Sequence, residues 1–365
     1  MFGKLVAFMR FEGFGLPAKS NPLRPRPTPA PTPLAEVAFA PNPGNLRAFS
    51  YVPRAARPLV VLLHGCGQTA AGYDQGTGWS ELAARHGFAL LAVEQKASNN
   101  PNTCFDWFLP DDITRGSGEA ASIAAMIHQM VSAQGLDASR VFVTGLSAGG
   151  AMTAAMLAGY PELFAGGAIF AGLPFGAAAN VRDALDSMRM APVKTPREWG
   201  DKVRAASAHA GPWPRLSIWH GDLDMTVNIS NAQALAAQWA DVHGLALADA
   251  RQARAGRAMR LAWGEALEVV TVSGLGHGVP IAAADIGLPG PFMIETGISS
   301  TRHIAQSWGL LDKPRPKLKP VLVPPPPQEV LTVIEESLGH APPAAERRIE
   351  GIIRRALKAA GLLRD

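Results

Sequence analysis

The stretch "VTGLSAGGAM" at residues 143–152 places Ser147 between Gly145 and Gly149, a spacing that can present a serine as a nucleophile. A serine hydroxyl is weak in that role unless a histidine takes its proton and an acid fixes the tautomer of that histidine. In a chain with 37 glycines the motif says little alone, and its flanks say more. "RVFVT" reads as a strand ending at the motif, and "AGGAMTAAMLAGY" as a helix beginning after it. A serine squeezed between strand and helix sits on a strained turn, its hydroxyl at the top of the sheet, while the flanking glycines let other backbone approach. It also lies at a helix N-terminus, whose exposed N–H groups favour negative charge developing on a substrate.

In a strand-turn-serine-turn-helix arrangement of this kind the acid and then the histidine follow the serine in the chain. "RLSIWHGDLDMTVN" ends a strand in a loop with Asp222 and Asp224, and "LEVVTVSGLGHGVP" ends another in a loop carrying His277. Of nine histidines, only His277 lies after Ser147 and the aspartates, follows a strand and has glycine on both sides. His303, on an expected helix, reads as a structural or surface residue, and His220 as support for the turn. Asp224 stands farther out on its loop and is the favoured acid; Asp222 is the alternative, and otherwise a turn former bonded to local N–H groups. Acyl transfer needs two N–H donors for the oxyanion. Ala148, next after the serine, is one candidate, and Cys66 in the glycine-rich turn after "VVLLHG" is the other. A cysteine between glycines in such a loop would serve through its backbone.

These groups need elements to carry them. "PLVVLLHG", "FALLAVEQ", "RVFVTGLS", "FAGGAIFAG" and "RLSIWHGD" read as strands, while 118–135, 148–160 and 229–244 have helical spacing. That alternation predicts an α/β fold, a mostly parallel central sheet with helices on both faces and function at the carboxyl ends of the strands. "NPLRPRPTPAPTPL" (21–34) and "KPRPKLKPVLVPPPPQ" (313–328) are too rich in proline for helix and bracket the body. The expected organisation is a flexible segment over 1–34, a catalytic domain over 35–312, a proline-rich linker with a short helix over 313–342, and a basic amphipathic helix over 343–365. That last helix gathers Ile349, Ile352, Ile353, Ala356, Leu357 and Ala360 on one face, suited to packing on the body, a partner or an apolar surface.

At 365 residues and 47% apolar the chain can bury a large core. Its net charge of +4, with cations gathered toward both ends, leaves no footprint for nucleic acid. Two cysteines, Cys66 and Cys104, exclude a disulfide-rich scaffold and a four-cysteine zinc site. One bridge is possible in an oxidising compartment, and closing a loop of about 38 residues would contribute roughly 4 kcal/mol in the loop-entropy model. No metal or organic cofactor is expected. The uncharged run 141–161 and the one after Glu162 raise the idea of a membrane hairpin. Both are mostly glycine and alanine, which gain little from lipid, and a buried strand followed by a buried helix explains them better. Near the N-terminus only five apolar residues separate Lys4 from Arg10, too few for the core of a secretory signal.

Together, "LHGCGQTAAGYDQGTGWSELAARHGFALLAVEQ", "NPNTCFDWFLPDD", "RGSGEAASIAAMI", "RVFVTGLSAGGAM" and "YPELFAGGAIFAGLPFGAA" resemble the polyhydroxybutyrate depolymerase family of esterases, within the α/β-hydrolases. The resemblance covers about residues 50–310 and implies Ser147 as nucleophile, Asp224 as acid and His277 as base. It further implies a disulfide between Cys66 and Cys104, and an exported protein, although the N-terminal reading leaves a cytoplasmic location open. Two departures bear on substrate and leave the triad untouched. The family's Cys-Trp-Asn-Trp-Phe is here Cys104-Phe105-Asp106-Trp107-Phe108, and its Ala-Trp-Pro after the histidine is Gly278-Val279-Pro280. The expected activity is hydrolysis of short-chain hydroxyalkanoate polyesters, with Trp107, Phe105 and Phe108 along the cleft. Feruloyl or acetylxylan ester hydrolysis is the alternative, and a non-catalytic binding module on the same fold the distant one.

Overall fold

The computed structural model describes residues 33–311. All but the last two residues of the first proline-rich segment, the whole of the second and the amphipathic C-terminal helix expected from the sequence lie outside the described residues. The chain opens with β1 (Ala35–Val37), β2 (Arg47–Tyr51) and β3 (Leu59–Leu63), then α1 (Ala70–Thr77), α2 (Trp79–His86) and β4 (Ala89–Glu94). Next come α3 (Pro110–Ile113), α4 (Gly118–Gln134), β5 (Val141–Leu146), α5 (Ala148–Gly159) and β6 (Gly166–Phe170). After α6 (Val181–Arg189) and α7 (Pro196–Ala205), β7 (Arg215–Gly221) leads to α8 (Ser230–Val242). The hairpin β8 (Arg251–Ala255) and β9 (Ala258–Trp263) precedes β10 (Leu267–Val272), and β11 (Val279–Ile281), β12 (Met293–Glu295) and α9 (Ser300–Ser307) complete the described part.

One ten-stranded sheet runs in the order β1-β2-β4-β3-β5-β6-β7-β10-β9-β8. From β4 to β10 neighbouring strands are parallel, and antiparallel strands close both edges. The chain moves outward from β3 to β4 and then returns to lay β5 on the other side of β3. Such a reversal opens a crevice beyond the carboxyl ends of the two diverging strands.

Alternation along β3 shows how the layers form. Leu59, Val61 and Leu63 join the core under α4, α5, α7 and α8, while Val60 and Leu62 join the core under α1, α2 and α9. Buried on both faces, the central strands read as continuous apolar runs. Helix α5 explains the uncharged run: all twelve of its residues are buried. Its small side chains let it lie close to the sheet. No helix among the described residues is long and apolar enough to cross a membrane. The sequence reading did not anticipate β8 and β9, an antiparallel extension beyond β10.

A buried polar network ties α9 to the sheet. Glu268 on β10 accepts hydrogen bonds from Ser217 Oγ at 2.6 Å and Arg260 Nε at 2.5 Å, with His303 Nε2 at 3.1 Å. Burial opposes ionisation of Glu268, but His303, Arg260 and Ser217 outweigh it and hold the carboxyl far below the usual range. A depressed folded pKa contributes stability above the unfolded value of about 4.5 and loses it as pH falls. Glu268→Leu should therefore cost about 3–5 kcal/mol at pH 7, leaving buried partners unmatched. Thermal melts should show the gap between wild type and variant narrowing as pH drops below about 4.5. A gap independent of pH would sink the assignment.

Candidate active site

Strand β5 ends in Leu146, and the chain turns sharply at Ser147, which has φ 56° and ψ −118° before α5 begins. A positive φ on a non-glycine residue is strained and persists only when its surroundings impose it. Here they do. Ser147 N donates to Phe170 O at 2.9 Å, pinning the turn to β6, while its carbonyl receives Ala151 N at 2.9 Å. The two glycines are sterically required. A Cβ on Gly149 would collide with the carbonyl oxygens of Leu63 and His64, and one on Gly145 would collide with Gly149 O.

Strand β7 carries Asp224 in the loop at its carboxyl end, and β10 carries His277 in the same way. His277 Nδ1 donates to Asp224 Oδ2 at 2.8 Å. Asp224 Oδ1 meanwhile accepts the N–H groups of Thr226 and Val227, each at 2.9 Å. Burial would raise the Asp224 carboxyl, but its interaction with His277, aided by His220 and the Val227 N–H, holds it below its ordinary value. It stays an ionised acceptor. With Nδ1 donating, the neutral imidazole presents an unprotonated Nε2, the form that can receive a proton. Asp222 acts elsewhere, its Oδ1 accepting Gly274 N at 2.6 Å and so joining the two loops. His220 supports the turn, bonding Val227 O at 2.8 Å. Among the described residues no hydrogen bond joins Ser147 Oγ to His277, and such contacts commonly tighten only when substrate binds.

The β3 loop meets the first turn of α5. Gly65 N is taken by Gln68 Oε1 at 2.9 Å and Gly67 N by Asn102 O at 2.8 Å. Between them, Cys66 N has no acceptor among the described residues, and neither has Ala148 N. Two unengaged N–H groups thus flank the serine turn.

Several braces fix this loop. Cys66 and Cys104 form a disulfide with sulfurs 2.07 Å apart. The His64 ring bridges β3 to the end of β4, with Nδ1 on Gly65 O at 2.7 Å and Nε2 accepting Gln95 N at 3.1 Å. Burial pushes its pKa down, so it stays neutral. Gln95 also bonds Glu119, whose other oxygen accepts Asp106 N at 3.0 Å. Burial, reinforced by the nearby Asp106, pushes the Glu119 carboxyl well above its usual range. The sequence reading took "HGCG" for its turn and missed His64, although a histidine ending an apolar strand was a visible signal.

The aromatic residues expected along the cleft do not stand there together. Phe105 is wholly buried, its ring 5.1 Å from that of His64, so it braces the loop from beneath. Trp107 is also buried, packed edge-on against the half-buried Phe108 at 5.6 Å. Phe105 is therefore corrected from cleft to core. Among the described residues no group of three His, Cys, Asp or Glu side chains is placed to hold a metal ion.

A parallel sheet flanked by helices, with a strained serine after β5 and an Asp–His pair beyond β7 and β10, is the arrangement of an α/β-hydrolase. Comparison with known proteins narrows this. The family model described as esterase PHB depolymerase matches residues 48–262. Poly(3-hydroxyalkanoate) depolymerase C of Paucimonas lemoignei is 41% identical over 292 residues, covering 76% of this chain and 70% of the relative. Acetylxylan esterase A of Emericella nidulans is 35% identical over 272 residues, covering 70% and 88%. The solved acetyl xylan esterase from Aspergillus awamori aligns with a TM-score of 0.66 at 28% identity, over 76% of this chain and 99% of that one. The chain belongs to the esterase PHB depolymerase family and is a carboxylic ester hydrolase.

Gly149→Ala should push the β3 loop away from Ala148 and lower kcat/KM on a simple ester about a hundredfold, the scale of losing one oxyanion donor. Steady-state hydrolysis of p-nitrophenyl butyrate measures it, and a variant with wild-type activity would show that the close approach is dispensable.

Proposed function

We propose that the protein hydrolyses short-chain hydroxyalkanoate polyesters or their oligomers through an acyl-enzyme on Ser147. His277 Nε2 takes the hydroxyl proton as Oγ attacks the ester carbonyl carbon, and the carbonyl oxygen becomes an oxyanion between the N–H groups of Cys66 and Ala148. Collapse of that intermediate breaks the ester bond, and His277 gives its proton to the departing alcohol oxygen. Water then attacks the acyl-enzyme with His277 again as base, releasing the acid and restoring Ser147. Asp224 holds the tautomer and stabilises the imidazolium as it forms.

The observation that carries this reading is the 2.8 Å bond from His277 to Asp224 beyond the strained turn at Ser147. The polyester preference draws support from the 41% identity to the depolymerase. Acetylated xylan is the second reading, supported by the 35% identical esterase of which this chain covers 88%.

Ser147→Ala should lower kcat/KM by at least about a thousandfold with the melting temperature preserved. Asp224→Asn should cost roughly a hundred- to ten-thousandfold, because the histidine is then held in the wrong tautomer. Release of hydroxybutyrate from an oligomer, set against release of acetate from acetylated xylan, ranks the two substrates. Full activity in the serine variant would remove the acyl-enzyme from consideration.

A further inference from the structure

Residues Gly290, Pro291, Phe292 and Met293 form a tight turn closed by Gly290 N to Met293 O at 3.2 Å and Met293 N to Gly290 O at 3.0 Å. Phe292 stands at its third position with φ 64°. A turn with proline second and a positive φ third ordinarily takes glycine or asparagine there, because a side chain is strained in that region. A phenylalanine is costly at such a position, and this one is 41% exposed, so burial does not compensate for it. Strain combined with exposure points to use outside the core.

The turn sits at the catalytic groups. The Phe292 ring meets the His277 ring edge-on at 5.8 Å, and Phe292 O accepts Val279 N at 2.8 Å, two residues beyond that histidine. On the other side Pro291 O receives Gln68 Nε2 at 3.3 Å, and Gln68 Oε1 is the acceptor for Gly65 N in the loop that presents Cys66. The turn thus links the base to the oxyanion loop. Two more exposed apolar side chains flank Asp224 directly: Leu223 is 60% exposed and Met225 65%. Leu223 N bonds Leu275 O at 3.1 Å, which puts it beside the loop leading into His277. Among the described residues seven large apolar side chains are exposed, and these three border one site.

We infer that Phe292, Leu223 and Met225 form an apolar rim that grips the hydrocarbon part of the substrate next to the scissile ester, selecting esters of apolar chains over acetyl groups on sugars. This rests on the acyl-enzyme reading given above. None of the three side chains offers a hydrogen bond to a sugar hydroxyl, whereas each can cover methylene and methyl groups, whose burial is favourable in proportion to area.

The test is the ratio of kcat/KM for p-nitrophenyl hexanoate to that for p-nitrophenyl acetate, measured with the whole chain. Phe292→Asn suits the positive φ and should melt no lower than wild type while its ratio falls tenfold or more. Phe292→Leu, still apolar, should keep the ratio within threefold, and Leu223→Ser with Met225→Ser should lower it severalfold. An unchanged ratio in Phe292→Asn, or a lower melting temperature with that unchanged ratio, would make Phe292 a packing residue and overturn the inference. Ser147→Ala run alongside separates the two readings. If it is inactive and the Phe292 ratio does not move, only the rim falls; if it is active on both esters, the acyl-enzyme reading falls first.

Discussion

How closely α5 can approach the end of β3 governs the top of this sheet. The carbonyl oxygens of Leu63 and His64 occupy the space that a side chain on Gly149 would need, and Gly149 O occupies the space beside Gly145. Because both positions are glycine, the helix starts hard against the strand, and the turn between them must carry Ser147 into a positive φ. The first free N–H of the helix, that of Ala148, then lies next to the loop of Cys66. Oxyanion stabilisation, the role proposed for these two N–H groups, needs donors fixed before charge develops, and a steric stop would fix them without moving parts.

The Cys66 N–H, proposed as an oxyanion donor, has no acceptor among the described residues, so its neighbours hold the loop. Gly65 N and Gly67 N are both engaged, and the Cys66–Cys104 bond, the His64 ring and the Gln95–Glu119 pair tie the loop to the segment after β4. This polar assembly is buried, where an unmatched group would be costly and a matched one rigidifies. The same division appears on the acid side, where Asp224 commits one oxygen to its own turn and keeps the other for His277. Strain is tolerated at Ser147 and Phe292 because the surrounding frame is over-determined.

Much of this was legible in the residues. The strands that carry Ser147, Asp224 and His277 announced themselves as apolar runs ending in glycine-rich loops, and α4, α5 and α8 followed their periodicity closely. Helix α7 carries a legible signal too, since Thr195 and Glu198 form a capping box around Pro196. The hairpin β8–β9 was harder. Its strands "RQARA" and "AMRLAW" lie at a solvent edge, alternate weakly and carry three arginines, so neither period dominates. Phe105 was misplaced for a related reason. An aromatic residue beside a loop cysteine looks the same in sequence whether it faces a substrate or the underside of His64.

What the sequence determined by itself was the fold class and the placement of Ser147, Asp224 and His277 in turns at the ends of strands, because these depend on local stereochemistry and on which face of each strand is apolar. It left two aspartates, two residues apart, as candidates for the acid, and the tertiary structure gives them different partners: Asp222 meets Gly274, and Asp224 meets His277. Tertiary structure also decided which N–H groups remain unengaged and brought Phe292, remote in sequence from Leu223 and Met225, to the same site. Those outcomes depend on contacts between residues far apart in the chain, and no local pattern encodes the distance between two loops.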